Sequence, residues 1–267
     1  MSIEPGRRSG DGPPRIEAID RALQLLEELA EAGADGLQLA GLSESTGISK
    51  ATAYRALATM RGRGFVSQGE SGEYRLGPKA LWLSDSYFAG DNIQRAFHPV
   101  LVELSRRTEE LVHLGTWDGP EVVYLDKVEP TSRAIRVWSS VGQRVPAAST
   151  SLGRALLAVR DDVDERLDHF IQLLPPDRSV ARQRLADAID EARETGFSSE
   201  VEENEPGVAC MGFALVRGER AVAAISITSV ASRMTLQRRL ELQDVIRREL
   251  PPLLPDGVSL FQPLSLS

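Results

Sequence analysis

One stretch, Gly47–Leu76 (GISKATAYRALATMRGRGFVSQGESGEYRL), constrains the chain more than any other, because within it the hydrophobic period switches from helical to two. Ser49 can cap a helix, its hydroxyl accepting a first-turn backbone N–H. Ala53, Leu57 and Met60 recur three and four apart as an apolar stripe, leaving Lys50, Thr52, Tyr54, Arg55 and Arg61 on the other faces. Past Gly62 and Gly64, Phe65–Gln68 and Glu73–Leu76 flank a Gly69–Gly72 turn, which is the pattern of a hairpin. The preceding Leu37–Thr46 reads as a short helix ending at Gly47, the residue best suited to φ > 0 in a sharp turn. Helix, glycine turn, capped helix and hairpin describe a winged helix-turn-helix, whose second helix enters the DNA major groove with the hairpin alongside.

The bland alternative is a small helical subdomain with solvated charges, and local charge argues against it. Six bases (Lys50, Arg55, Arg61, Arg63, Arg75, Lys79) face two acids between Gly47 and Lys79, a net of +4, in a chain of net charge −8. Phosphate contact needs such a basic patch. The acidic total speaks against indiscriminate coating of nucleic acid. On the helix we assign Thr52, Tyr54 and Arg55 to the groove, with Ser49 as cap and Lys50 and Arg75 on phosphates.

Ile16–Ala32 is a strongly amphipathic helix. Ile16, Ile19, Leu23, Leu26 and Ala30 form its stripe, which Leu25 and Leu29 widen. The spare width fits either one broad core face or packing against a second subunit as well. Lys79–Phe88 is a linker helix rich in apolar residues (Leu81, Trp82, Leu83), and Gly90-Asp91 interrupts the chain before a long helix at Asn92–Thr108. The expected organisation is a disordered tail at 1–15, a DNA-binding domain at 16–78, a linker at 79–91, a second domain at 92–255 and a tail at 256–267. The first residues carry no apolar core of a leader, no apolar run reaches the ~18–20 residues of a membrane span, and one cysteine, Cys210, allows no internal disulfide. A soluble, cytoplasmic protein with no membrane partner is expected.

The second domain reads as α+β. Leu111–Trp117 and Glu121–Val128 are strands across an Asp118-Gly119-Pro120 turn, and Ile135–Ser139 is a third. Helices are expected at Leu152–Arg160, Asp162–Leu173, Val180–Thr195 and Leu236–Leu250. Strands are expected at Ser198–Glu202, Val208–Val216 and Ala221–Ser229. Strand pairs separated by helices indicate a mainly antiparallel sheet rather than a doubly wound parallel one.

Catalytic and cofactor chemistry find no support. His98, His113 and His169 lack metal-ligand spacing, and nucleophile-elbow, phosphate-loop and zinc-protease motifs are missing, so no catalytic residue, metal or cofactor is assigned. Cys210 or Ser149 as a nucleophile is the weakest reading; a cysteine within an apolar strand is ordinarily inert packing. Binding is better supported. Alternation puts Val208, Cys210, Gly212 and Ala214 on one face of their strand, and Ala224, Ser226 and Thr228 share a face of the next. That face is small and polar, with room for a ligand, although close helix packing would also use small residues. Ser149, Thr150 and Ser151 stand where a helix begins, so its free N–H groups can take a carboxylate; simple capping would need only one of those hydroxyls. Leu114, Trp138 and Val208 are expected as apolar walls.

In order and spacing these parts resemble the IclR family of bacterial transcriptional regulators from about Ile16 to Leu250. GISKATAYRAL and the YRLGPKAL wing exit are similar to the family's DNA-binding half, VGQRVPAASTSLGRALLA to its effector-domain signature, and GVACMGFALV with AVAAISIT to its effector hairpin. Ala148 and Arg154 replace the usual His and Lys, so no role is carried over for them. The resemblance implies a GAF-like effector domain, a homodimer or homotetramer, and a small organic-acid or aromatic effector that modulates binding to a double-stranded operator, with repression as the expected outcome. It implies that Glu200, Cys210, Ser226 and Thr228 line the pocket with backbone N–H groups from Ser149–Gly153. Glu200 alone would read as a solvated acid. The competing function is a sensor whose helix-turn-helix contacts protein rather than DNA.

Overall fold

The computed structural model describes residues 16–88, 93–130, 137 and 139–263. The chain divides into two compact units, Met1–Asp91 and Asn92–Ser267.

In the first unit, α1 (Glu17–Ala32), α2 (Leu39–Thr46) and α3 (Lys50–Gly62) precede a hairpin of β1 (Val66–Gln68) and β2 (Tyr74–Leu76). Gly47 turns the chain between α2 and α3 at φ +70°, a conformation that costs a side chain but not glycine. Helix α2 begins two residues later than its sequence pattern suggests. Leu37 instead exchanges both backbone hydrogen bonds with Tyr74, adding a third short rung to the wing. The core gathers Leu25, Leu29, Leu42, Ala53, Leu57, Met60, Val66 and Tyr74. Of the stripe expected on α1, Leu26 packs at the edge of this core, but the other roles are reversed. Leu25 and Leu29, expected only to widen the stripe, are its core contacts, while Ile16, Ile19 and Leu23 are 66, 56 and 53% exposed. Helix α4 (Lys79–Phe88) follows the wing, its Leu81 and Trp82 exposed.

The second unit begins with α5 (Ile93–Thr108), which carries Pro99 within it and buries Phe97, Val100, Leu101 and Leu104. Strands β3 (Leu111–Asp118) and β4 (Glu121–Val128) form a hairpin, and β5 (Arg144–Pro146) pairs with the far side of β4. Helices α6 (Ser151–Ala158), α7 (Val163–Gln172) and α8 (Arg182–Thr195) lead to β6 (Ser198–Val201), β7 (Val208–Arg217) and β8 (Arg220–Val230). Helix α9 (Leu236–Glu249) and β9 (Ser259–Leu260) complete it. The sheet order is β5-β4-β3-β8-β7-β6 with β9 also on β7, and every described pairing is antiparallel.

Three expectations need correction. Of Ile135–Ser139 only Val137 and Ser139 are among the described residues, and neither is in a strand. The strand on that edge is β5, hidden from a sequence reading because it has three residues and ends in Pro146, which only an edge strand tolerates. Part of the stretch read as a tail is β9, whose two residues are too few to alternate visibly.

Alternation along the strands splits the unit into two cores. Ala209, Met211, Phe213 and Leu215 of β7 join Val112, Leu114, Ile225 and Ile227 against α5 and α9. Ala214 and Ala224 point the other way, into a core with α6, α7 and α8.

Candidate functional site

The first candidate site is the surface of α3. The Ser49 hydroxyl accepts the Thr52 N–H at 3.3 Å and donates to the Thr52 hydroxyl at 3.0 Å, so both side chains are engaged in starting the helix. Lys50, Tyr54 and Arg55 are exposed beside it, Tyr54 by 55%. Arg75 on β2 is exposed and pairs with Glu73 at 3.1 Å. Arg61 donates to Gln68 on β1, fastening helix to wing. The buried stripe of α3 fixes its orientation in the unit and leaves these cations outward.

The second candidate site is a cleft on the small face of the sheet. It is lined by His113 of β3, Tyr124 of β4, Cys210 of β7, Ser226 and Thr228 of β8, Glu200 of β6, and Thr150, Ser151 and Leu152 at the start of α6. Val137, Asn204 and Val208 close it. Its room is about 10 Å³, which holds about one water molecule.

Ligand face and packing face turn out to be two ends of one surface. Toward the middle of β7, helix α6 sits directly on the sheet: a methyl on Gly212 would lie 2.5 Å from the Ser151 carbonyl oxygen, and one on Gly153 only 2.2 Å from the Ala147 Cα. The Ser198 hydroxyl ties this contact, donating to the Ser151 carbonyl at 2.6 Å. Beside this contact, Ser226, which is paired with Gly212, and the next pair on the same face, Cys210 and Thr228, line the cleft at the N-terminal end of α6.

The helix start is partly capping. Thr150 accepts the Gly153 N–H at 3.2 Å and donates to the Pro146 carbonyl at 3.0 Å. Gly153 therefore serves close packing and its own cap, and it does not line the cleft. Ser151 and Leu152 do line it, and first-turn amides have no partner within a helix. Ser149 is fully buried, outside the lining, and its Oγ has no hydrogen-bond partner among the described residues.

Glu200 is buried at 1% exposure, contrary to its solvated reading. Its Oε2 accepts the N–H groups of Glu203 and Asn204 at 3.2 and 3.4 Å, and burial raises its pKa. Cys210 lies 3.3 Å from the Thr228 hydroxyl, its thiol pushed well up by burial and so not a nucleophile at neutral pH. The Ser226 side chain, on a residue 3% exposed, makes no hydrogen bond to the described residues, so its hydroxyl can serve a ligand.

Sequence reasoning missed His113, Tyr124 and Arg154. The His113 Nε2 meets the Ser139 hydroxyl at 2.9 Å and its Nδ1 the Thr228 hydroxyl at 3.3 Å. Burial, and then the nearby Lys127 charge, pull its pKa down to about 3, so the ring is neutral. Tyr124 packs on it with ring centroids 4.9 Å apart, and burial pushes the phenol up. Alternation in LVHLG carries the signal: His113 faces the cleft, so Leu114, expected as a wall, belongs to the opposite core. Val208 lines the cleft as expected, whereas Trp138 lies outside the described residues. Arg154, on α6 where a solvated position would be assumed, is fully buried. It donates to the carbonyls of Ala148 and Ser199 at 3.0 and 2.8 Å and is clamped by the Glu203 carboxylate.

Comparison with known proteins finds relatives for both units of the chain. Residues 18–70 match the model of the IclR helix-turn-helix domain and residues 86–249 that of the bacterial transcriptional regulator IclR C-terminal domain. The HTH-type transcriptional regulator XynR of Escherichia coli is 33% identical over 83% of this chain and 89% of its own length. The crystal structure of Thermotoga maritima IclR superposes with a TM-score of 0.70 at 26% identity, covering 88% of this chain and 96% of the other. An IclR homologue from Microbacterium hydrocarbonoxydans, solved in complex with 4-hydroxybenzoate, gives 0.63 at 19% identity over 88% of this chain and 99% of its own.

Proposed function

Because the chain belongs to the IclR family of bacterial transcriptional regulators and is a DNA-binding regulator, not an enzyme, we propose that it is a repressor released or tightened by a small carboxylate held in the cleft. Membership makes DNA, not a protein, the partner of the helix-turn-helix. Thr52, Tyr54 and Arg55 read base edges, Lys50 and Arg75 hold the phosphates, and Ser49 caps the helix that presents them. One such unit covers one half-site, so a homodimer or homotetramer is required, and the exposed Ile16, Ile19 and Leu23 face of α1 is the surface offered for it.

The observation that carries the effector reading is the partner-free Ser226 hydroxyl, buried in one cleft with Cys210, Thr228, Glu200 and the first turn of α6. The amides of that turn take a carboxylate and Ser226 and Thr228 its polar end, as for a compact hydroxy acid. Ligand binding alters operator affinity by favouring one of two arrangements of the protein. A gel shift with the protein's own upstream DNA tests the reading. A retarded species whose affinity falls with salt and changes on adding small hydroxy acids is expected. No shift at any salt, or one indifferent to every such acid, would sink it.

A further inference from the structure

The cleft has polar groups of every kind but one. His113, Tyr124, Glu200, Cys210, Ser226 and Thr228 face it, and among the described residues no lysine or arginine lines it. The cations nearby are committed elsewhere. Arg154 of α6 is clamped by Glu203, Lys127 of β4 donates to the Ser139 carbonyl at 3.0 Å, and Arg178, between α7 and α8, bonds Asn204 at 2.6 Å. Around Glu200 the remaining titratable neighbours are the Cys210 thiol of β7, Tyr124 of β4 and Glu205 in the loop before β7, none of them positive. An anion entering such a site meets Glu200, and the one cation that acts on Glu200 among the described residues, Arg154, is already shared with the Glu203 carboxylate; amide dipoles and hydroxyls must offset the rest of the repulsion, and two buried carboxylates this close do not both stay ionised.

We propose that Glu200 is the specificity-determining group of the cleft, acting as a neutral carboxylic acid that donates its proton to the ligand's carboxylate, so that each bound carboxylate brings one proton into the protein. The Oε2 that accepts the Glu203 and Asn204 amides keeps the side chain fixed in either protonation state. The proton passes from solvent to Glu200 and no bond other than O–H is made. The cleft thereby prefers carboxylates over sulfonates, which are too weakly basic to share a proton with a carboxylic acid. His113 stays neutral and serves as a hydrogen-bonding wall with Thr228 and Ser139.

The inference rests on the carboxylate reading of the cleft, and calorimetry separates the two. The full-length protein is titrated with 4-hydroxybenzoate, and with acetate as the smallest carboxylate, in two buffers of different ionisation enthalpy. Uptake of about one proton per carboxylate is expected at neutral pH, with affinity falling up to about tenfold per pH unit above the titration of Glu200. Glu200→Gln, whose amide donates without titrating, should keep binding and lose both the uptake and the pH dependence. Identical heats in the two buffers for the wild-type protein overturn the proposal without reference to any variant. So does uptake that survives in Glu200→Gln, which moves the proton to His113, or a folded Glu200→Gln that no longer binds. If neither acid binds even below pH ~6, the carboxylate reading itself fails and this inference falls with it.

Discussion

The surface of α3 and the cleft hold their polar groups in opposite states. Lys50, Tyr54 and Arg55 are exposed on one continuous segment that a buried stripe orients from behind. The cleft takes His113, Tyr124, Glu200, Cys210, Ser226 and Thr228 from five strands, and each is packed within the protein that it helps to build. A recognition surface of the first kind can change its reading without disturbing its fold. In the second kind, binding and stability are held by the same atoms, so substitutions touch both.

The largest effect that this contrast predicts lies behind the cleft. Arg154→Ala removes a buried guanidinium and leaves the buried carbonyls of Ala148 and Ser199 and the Glu203 carboxylate without it. It should cost the second unit ~3–5 kcal/mol in urea unfolding. Arg55→Ala should leave unfolding within ~0.5 kcal/mol, yet cost on the order of 1–3 kcal/mol in operator binding and relax preference at one base pair. Lys50→Ala alongside it should weaken all sequences alike and lower the salt slope by about one. If Arg154→Ala proves neutral, or Arg55→Ala unfolds the protein, the two regions are not different in kind.

Acid should distinguish them next. The His113 pKa near 3 lies below its unfolded value of 6.5, so the unfolded chain binds the extra proton between those limits. Stability is whole above pH 6.5 and falls with decreasing pH, by about 1.4 kcal/mol one unit lower. Glu200, its pKa raised, works in the other direction, holding more protons folded than unfolded and opposing the loss. Thermal melts of His113→Gln should therefore decline less between neutral and mildly acid pH than those of the wild type. An equal decline would show that His113 is not the group concerned.

The smallest expected effect is functional. Ser226→Ala should weaken the response to a carboxylate effector by about 1 kcal/mol, the worth of one hydrogen bond, with operator affinity in its absence unchanged. A full response in that variant would move the ligand elsewhere.

The same contrast explains what the sequence made legible. Ser49, Gly47 and the Gly69–Gly72 turn act within a few residues of themselves, so a local pattern sufficed for the winged unit. Alternation found Cys210, Ser226 and Thr228 because it operates within single strands. It could not show that β3 lies beside β8, which sets His113 opposite Ser226 across a chain separation of more than a hundred residues. Arg154 was invisible for a related reason: only the arrival of Glu203 and the Ser199 carbonyl makes a charged side chain tolerable there.

The cleft's room of about one water has a consequence in time rather than in energy. A molecule of several heavy atoms has no waiting cavity to diffuse into, so its arrival must be preceded or accompanied by a widening of the cleft. Raising the ligand concentration then speeds capture only until that widening becomes the slow step. Beyond it the observed rate should level off, and the departing ligand should be held as long as the cleft stays narrow.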